Sequence, residues 1–367
     1  MLSRWTHSTP VPRKEASSID TAIKDNDTKI KTEPSGVEHP QEAVPPDTAK
    51  GYEAFLRIVS RPFTTKVDQL GVPRRARAAL PLLELVVVIA ERYEALDPVK
   101  SAFVSLCQDW QSKKTLWAAI ATQPLRWLKL STKLENELVY NEAFIHLAGR
   151  YPDFEGFEDL PAQVAKMLEA GARQIRIVRY EINEQLSYMT LKTKVSAESG
   201  SKSAGVRRKH PSMEEGVVNH HNDPDGWVVV NIWRDWIAEH LSHINRREAG
   251  DDGPPHSTLL CSHEEGGDCL TVAGFYRTIR KGGDAYLPTD KVLDEEWWNS
   301  EYFNCDEKVI GQRLAALKAH ASEIVKPLLD SHLQYAGRDN LAYLTCVEAG
   351  SVPWSRDEVD EDMGVDE

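Results

Sequence analysis

Apolar residues that recur every three or four positions constrain this fold more than any other feature of the chain. The longest such stretch runs from Leu160 to Met189 and predicts one helix of about 28 residues, roughly 42 Å long at 1.5 Å per residue. Its apolar stripe consists of Val164, Leu168, Ala172, Ile175, Val178, Ile182, Leu186 and Met189. A stripe of this length needs a facing surface. We favour packing within the chain, which avoids the entropic cost of association, and the alternative is a partner protein or a second copy.

The same periodicity predicts helices on both sides of this stretch. "ARAALPLLELVVVIAERYEAL" ends before Pro98, which opens the next helix, and "PLRWLKLSTKLENELVYNEAFIHLAG" reads as one helical unit that stops at Gly149. Further helices are predicted from Trp227 and in "VIGQRLAALKAHASEIVKPLLDSHL", with a break at Pro327. Only "YLTCV", near Tyr343, looks like a short extended piece. The sequence therefore predicts a mainly α protein.

Composition divides the chain into segments with different expected order. Residues 1–50 are rich in Pro, Ser, Thr, Lys and Glu without apolar periodicity, and the last thirteen residues are strongly acidic, so we expect both ends to be disordered. The predicted regions are a disordered arm (1–50), a first helical region (51–152), a long helix (153–193), a polar linker or loop (194–226), a helical C-terminal region (227–354) and an acidic tail (355–367).

Charge and cysteine content narrow the class of partner and compartment. The 367 residues carry a net charge of -13, which argues against a general nucleic-acid binder, and no apolar run has the roughly 20 residues that span a bilayer. Five cysteines are few for this length and odd in number, which favours free thiols. We therefore expect an intracellular protein, cytoplasmic or nuclear, with no nucleic-acid or membrane partner.

The stretch "CSHEEGGDC" is the first candidate for metal chemistry. Cys261, His263 and Cys269 supply three ligand-type side chains, and a fourth would have to come from His256 or Cys305. The cysteines are eight residues apart, however, and zinc sites typically pair them as C-x₂₋₄-C. A solvated polar loop fits this spacing better than a structural metal site.

Two other clusters contain metal-ligand or acid–base residue types. "NHHNDPDGW" sets His220 and His221 beside Asp223, but the Asp-Pro and Asp-Gly pairs favour a turn in which an aspartate caps the following helix. Glu142 and His146 lie four residues apart on one helical face without the second histidine of H-E-x-x-H, which favours an intrahelical polar pair. "RKGGDAYLP" lacks a phosphate-loop pattern and reads as a helix C-cap.

Several blocks, taken in order, resemble a family of fungal proteins that carry a BTB/POZ domain followed by a long helical extension of unknown role. "YEAFLRIVSRPF" and "LLELVVVIAERYEALDPVKSAFVSLCQDW" resemble the C-terminal half of such a domain. Five later blocks resemble the helical extension: "KLENELVYNEAFIHLAGRYP", "IRIVRYEINEQL", "FYRTIRKGGDAYLP", "HASEIVKPLLDSHLQ" and "LAYLTCVEAGSVPW".

This resemblance implies a helical remnant of a BTB domain followed by a helical extension. Residues 1–50 contain neither the two strands nor the turn and helix of the first BTB half, so that half is expected to be missing. Because the missing half supplies much of the family's dimer interface, the resemblance leaves a homodimer open. It transfers no catalytic residues.

These observations favour a non-catalytic interaction or scaffold protein with a protein partner. Every candidate site fails on ligand spacing or number, so no catalytic, cofactor-binding or metal-binding residue is assigned and no cofactor is expected. Aromatic-rich amphipathic helices are plentiful, and such helices serve cores and interfaces alike. The alternative is a metal-dependent enzyme or metal-stabilised protein that uses the clusters His220, His221 and Asp223 and Cys261, His263 and Cys269.

Overall fold

The protein is mainly helical, as the sequence predicts. A computed structural model describes residues 46–60, 69–192, 217–248, 271–294 and 307–355. These ranges contain twelve α-helices, and their only β pairing is an isolated antiparallel bridge between Lys192 and Val217. No helix in the described ranges is long and apolar enough to cross a membrane.

Six helices precede the long central helix. They are α1 (Pro46–Ser60), α2 (Ala76–Arg92), α3 (Leu96–Ser112), α4 (Leu116–Thr122), α5 (Pro124–Leu134) and α6 (Glu137–Arg150). Pro98 lies in the first turn of α3, as predicted, where its missing N–H has no helical partner to lose. The first helix begins at Pro46, so the last five residues of the predicted disordered arm are helical.

The central helix and the helices that follow complete the set. They are α7 (Ala162–Tyr188), α8 (Pro224–Glu248), α9 (Val272–Lys281), α10 (Thr289–Asp294), α11 (Glu307–Ile324) and α12 (Lys326–Leu329). Helix α7 agrees closely with the helix predicted from Leu160 to Met189. Pro327 marks the break between α11 and α12, as expected. Helix α8 begins three residues before the predicted start at Trp227.

One predicted helix is divided in two by a sharp turn. The stretch read as a single helical unit breaks between α5 and α6, where Glu135 adopts a left-handed conformation with φ of 50°. The next residue, Asn136, restarts the helix because its side-chain oxygen accepts the N–H of Val139 at 3.1 Å. The prediction of one continuous helical unit was therefore wrong, because the N-cap at Asn136 starts a new helix.

The first six helices bury a tryptophan-centred core. Helix α2 contributes most of its apolar residues to this core and contacts α1, α3, α4 and α5. Trp110 of α3 and Trp127 of α5 are fully buried and meet edge to face, with ring centroids 6.2 Å apart. This is the arrangement that aromatic quadrupoles favour.

Helix α7 lies between this region and the C-terminal helices. Its predicted apolar stripe is buried from Val164 to Leu186, except for the half-buried Val178, and the helix contacts α6, α8, α11 and α12. At Gly171 the backbone comes so close to Phe144 of α6 that a Cβ atom would lie 3.0 Å from the ring. The stripe thus packs within the chain, which is the arrangement favoured from the sequence.

A second aromatic cluster forms the core of the C-terminal half. Trp233 and Trp236 of α8, Phe275 of α9 and Tyr286 after α9 are almost fully buried. The rings of Trp236 and Tyr286 stack with centroids 4.6 Å apart, and the indole N–H of Trp233 donates to the carbonyl of Leu186 on α7 at 2.9 Å. Trp233 and Trp236 are therefore core residues, which is the default interpretation of their spacing.

The last of the described ranges closes with a largely irregular stretch, residues 330–355, which we call the C-terminal segment. It returns to α6, where a Cβ atom on Gly149 would lie 2.2 Å from the carbonyl oxygen of Leu344. The expected extended piece at "YLTCV" pairs with no strand in the part of the chain that the structure describes, and this stretch lies against α6 without a β ladder there. Gly149 does not end its helix, which continues to Arg150; the glycine instead admits the C-terminal segment.

Candidate functional site

A deeply buried polar cluster lies where the C-terminal segment meets α6. The two carboxylate oxygens of Glu142 accept the backbone N–H groups of Gln334 and Tyr335 at 2.8 and 2.9 Å. One turn later, Nδ1 of His146 lies 2.7 Å from the hydroxyl of Tyr343. The sequence predicts an intrahelical polar pair of Glu142 and His146, but Nε2 of His146 lies 4.0 Å from the carboxylate and no hydrogen bond joins the two side chains. Both side chains bind the C-terminal segment instead.

Burial dominates the electrostatics of this cluster. Glu142 is 3% exposed and His146 is fully buried. Desolvation raises the pKa of Glu142, although the two N–H bonds and the charge of Arg338 oppose that change. Desolvation, assisted by the nearby Arg150 cation, lowers the pKa of His146 to about 3, so the imidazole is neutral at neutral pH.

The nearby carboxylate favours one tautomer of the neutral imidazole. Nε2 of His146 lies 4.0 Å from a Glu142 oxygen, so a proton on Nε2 faces negative charge and Nδ1 is left to accept the Tyr343 hydroxyl. The guanidinium of Arg150 lies 4.8 Å from the centroid of the Tyr343 ring. Glu142 and His146 are closed to solvent, so these two side chains fasten the C-terminal segment to α6 and are not placed to meet a substrate.

A buried lysine organises the loop that follows α9. Nζ of Lys318, which is 4% exposed, donates to the carbonyls of Gly283 and Leu287 at 2.7 and 2.8 Å. Desolvation lowers the pKa of this lysine to about 8, and Asp284 opposes that change. Gly282 and Gly283 have positive φ, and the N–H of Gly282 donates to carbonyls of the last turn of α9. The interpretation of "RKGGDAYLP" as a C-cap is thus confirmed, and Lys318 was missed because its partners are main-chain carbonyls.

The paired histidines lie in the turn that opens α8. Their ring centroids are 3.7 Å apart, and both residues are exposed. Asp223 accepts the N–H of Gly226 at 2.9 Å, and its other carboxylate oxygen forms an ion pair of 2.6 Å with Arg313 of α11. The aspartate thus caps the helix, as the turn chemistry predicts. His220, His221 and Asp223 are neighbours, but Asp223 is already committed to a cap and a cation.

The cysteine-rich candidate lies outside the described ranges, as do all residues from Asp251 to Leu270. Cys261, His263, Cys269, His256 and Cys305 therefore receive no structural account. Among the residues that the structure describes, no three His, Cys, Asp or Glu side chains come together as a metal site. Cys107 and Cys346, the two cysteines in the described ranges, are free thiols, and burial raises the pKa of both.

The exposed side of α7 carries a group of aromatic and apolar residues. On the side of α7 that faces away from the core, Tyr188 is 74% exposed, Tyr180 is 70% exposed and Ile177 is 46% exposed. Arg173, Arg176, Glu181 and Glu184 lie on or beside the same face and are exposed. We call these seven residues the outer face of α7. The prediction from the sequence used only the buried apolar stripe of α7. Ile177, Tyr180 and Tyr188 also recur with the helical period, on the opposite side of the helix, and this pattern could have revealed the second face.

Comparisons with known proteins give no relative from which a role could be transferred. No family model matches the chain, and neither a curated protein nor a solved structure matches it.

Proposed function

We propose that this protein is a non-catalytic interaction protein that binds a second copy of itself through the outer face of α7. The observation that carries the proposal is the presence of two tyrosines and an isoleucine, largely exposed, on one face of a 27-residue helix. Exposed aromatic residues grouped in this way are typical of association surfaces, whereas single exposed apolar residues are ordinary.

The apolar residues supply the contact area of the proposed interface. Ile177 and Tyr180 are adjacent on the face, and Tyr188 lies two turns further along. Tyrosine provides a large, rigid apolar body and a hydroxyl that remains hydrated at an interface rim, and it is enriched among residues that dominate binding energy. The free energy of association is therefore expected to come mainly from these three side chains.

The charges on this face are arranged so that two copies complement each other. Arg173 and Arg176 precede the apolar centre, while Glu181 and Glu184 follow it. If two α7 helices pair antiparallel with Ile177 opposite Tyr180, then Arg173 faces Glu184 and Arg176 faces Glu181 of the other copy. A two-fold interface requires such self-complementarity, and a parallel pair would instead bring like charges together.

The inner stripe is not available for this role. Val164, Leu168 and Ile175 are at most 7% exposed because they pack within the chain. Two copies would therefore meet through the opposite side of the same helix, which leaves the core undisturbed. The axis of α7, about 40 Å long, provides room for a lengthwise contact.

Charge exchange tests both the surface and the orientation. The variants R173E/R176E and E181R/E184R each give every copy four like charges on this face, so eight like charges would meet in the pairing. Each variant should therefore be a monomer near 41.3 kDa by light scattering. A mixture of the two variants should form a heterodimer, and the fourfold exchange should restore the homodimer. Tyr180→Ser should weaken association at least tenfold, as loss of a central aromatic anchor does.

The matched control changes two exposed arginines elsewhere. R77E/R92E on α2 alters net charge by the same amount as R173E/R176E and should leave the dimer intact. A wild-type chain that stays monomeric at high concentration contradicts the proposal. A dimer that survives both outer-face charge variants would place the interface elsewhere and contradict it equally.

The relation to fungal BTB-domain proteins and the intracellular location, cytoplasmic or nuclear, stay predictions from the sequence. So does the alternative of a metal-dependent enzyme, whose test is elemental analysis of the dialysed protein. Stoichiometric zinc would favour that alternative over an interaction protein.

A further inference from the structure

A pocket of about 290 Å³ lies between α11 and the loop that follows α9. Gly282 and Gly283 line it from the loop, and Ala315 and Ala319 line it from α11. A Cβ atom built on either glycine would meet no other atom within 4 Å, so the glycine side of the pocket is open. The buried Lys318 of α11 also belongs to the lining.

The amine of Lys318 lies at the glycine side of this pocket. Its Nζ atom donates to the carbonyl of Gly283 at 2.7 Å, and Gly283 itself lines the pocket. A second bond, of 2.8 Å, joins Nζ to the carbonyl of Leu287. The amine is therefore held between two carbonyl oxygens at the edge of a cavity, on a side chain that solvent hardly reaches.

The two carbonyl bonds match the donors of a neutral amine. An ammonium has three N–H donors, whereas a neutral amine has two and a lone pair. In the neutral form both donors are used, and the lone pair is directed away from the two carbonyls. A lysine amine in this state is a nucleophile.

Burial increases the neutral fraction of this amine. Desolvation lowers the pKa of Lys318 to about 8, although the charge of Asp284 opposes that change. At pH 7 roughly a tenth of the amine is then neutral, which is about 300 times the fraction expected for a lysine of ordinary pKa. Lys281 lines the same pocket but is exposed, so it serves as an internal comparison.

We propose that Lys318 captures a small aldehyde in this pocket as an imine. The lone pair of Nζ attacks the carbonyl carbon, the π electrons of the C=O bond move to the oxygen, and this oxygen leaves as water with the two amine protons. A C=N bond remains. Once the imine nitrogen takes up a proton, it again has one N–H for a carbonyl of the loop. The pocket volume is at the lower end of the range for small-molecule sites, so the aldehyde has only a few carbon atoms.

Reductive trapping followed by peptide mapping tests this inference on the full chain. Propanal is added at limiting concentration at pH 7 with cyanoborohydride, which reduces an imine to a stable secondary amine. Mass spectrometry then gives the rate at which each lysine gains the adduct. We expect Lys318 to react at least tenfold faster than the exposed Lys50, Lys113 and Lys281, because more of its amine is neutral. Equal or slower reaction of Lys318 overturns the proposal.

Narrowing the pocket shows whether the cavity admits the aldehyde. Ala315→Leu and Ala319→Leu enlarge exposed side chains of the lining and should each slow trapping at Lys318 at least fivefold without changing the rate at Lys50. The matched control, Ala316→Leu, lies on the same helix outside the lining and should react as the wild type does.

Trapping at Lys318 that neither pocket variant slows would show that the aldehyde does not enter through this cavity, and would refute the proposal. The rates in the wild type need no variant, so a misfolded variant does not hide the result. Dimerisation is measured separately by light scattering, so failure of this proposal leaves the outer face of α7 untouched.

Discussion

Glu142→Gln is the most informative single change at the junction of α6 and the C-terminal segment. In the wild type each carboxylate oxygen accepts one backbone N–H, from Gln334 at 2.8 Å and from Tyr335 at 2.9 Å. Glutamine has nearly the same shape but only one acceptor oxygen. One of the two buried N–H groups therefore loses its partner and meets an amide NH₂ group.

The expected cost follows from two opposing effects. A buried donor left without an acceptor costs about 1–3 kcal/mol. Against this, the wild-type carboxylate is itself desolvated, since burial raises its pKa, and removing its charge returns part of the loss. Burial raises the pKa of Glu142 in the folded state, so this carboxyl group stabilises the fold most fully below its unfolded pKa. When the group is ionised at pH 7, it lowers the stability of the fold. We expect a net loss of about 1–2 kcal/mol.

Two measurements check this value. Urea unfolding at pH 7, followed by circular dichroism, gives the change in the free energy of unfolding. Hydrogen exchange of peptides that contain Gln334 and Tyr335 reports the same bonds locally, and exchange should accelerate roughly 5- to 30-fold, the factor that corresponds to 1–2 kcal/mol.

The control is Glu155→Gln, an exposed position in the loop before α7, which should change neither quantity. Glu142→Leu removes both acceptors and should destabilise more than glutamine does. If Glu142→Gln leaves stability within about 0.3 kcal/mol of the wild type and exchange unchanged, the carboxylate does not fasten the C-terminal segment and the reasoning is wrong.

Three further changes probe the other close contacts. Gly149→Ala would place a Cβ atom 2.2 Å from the carbonyl oxygen of Leu344, so urea unfolding should show a loss of about 2 kcal/mol or more despite the better helix propensity of alanine, whereas Gly311→Ala in α11 should be nearly neutral. The pKa of His146 is about 3 in the folded state, against 6.5 for the unfolded chain, so its neutral imidazole contributes stability above pH 6.5 that is lost as the pH falls. The stability advantage of wild type over His146→Gln should therefore shrink by about 1.4 kcal/mol per pH unit between pH 6 and 4. The pKa of Lys318 is likewise lowered, to about 8 from 10.5, so wild-type stability relative to Lys318→Met should rise by about 3 kcal/mol between pH 8 and 10.5, and a flat difference would show that the ammonium is not desolvated.

Local rules were sufficient for most of the helices. The 3.6-residue period located α7 within two residues at each end, because a stripe of eight apolar residues leaves little freedom in register. Pro98, Pro327 and Asp223 marked helix ends by chemistry that acts over one turn. The break at Asn136 was missed although it obeys the same kind of rule, since the apolar period continues across it.

The candidate sites depended on contacts that no local rule describes. Glu142 and His146 were recognised as a pair on one face, but their partners Gln334, Tyr335 and Tyr343 lie almost 200 positions later. The buried Lys318 binds main-chain carbonyls, which every residue possesses and which leave no trace in a sequence.

The sequence by itself determined the helical class, the long amphipathic α7 and several helix ends, because these follow from periodicity, caps and prolines that act within a few residues. Only the tertiary structure decided that α6, α8, α11 and α12 cover the apolar side of α7, so that Tyr180 and Tyr188 are left outside. It likewise placed Lys318 against the carbonyls of Gly283 and Leu287. The physical reason is the same in both cases: burial and the partners of a buried group depend on which distant surfaces meet, and that choice minimises the free energy of the whole core at once.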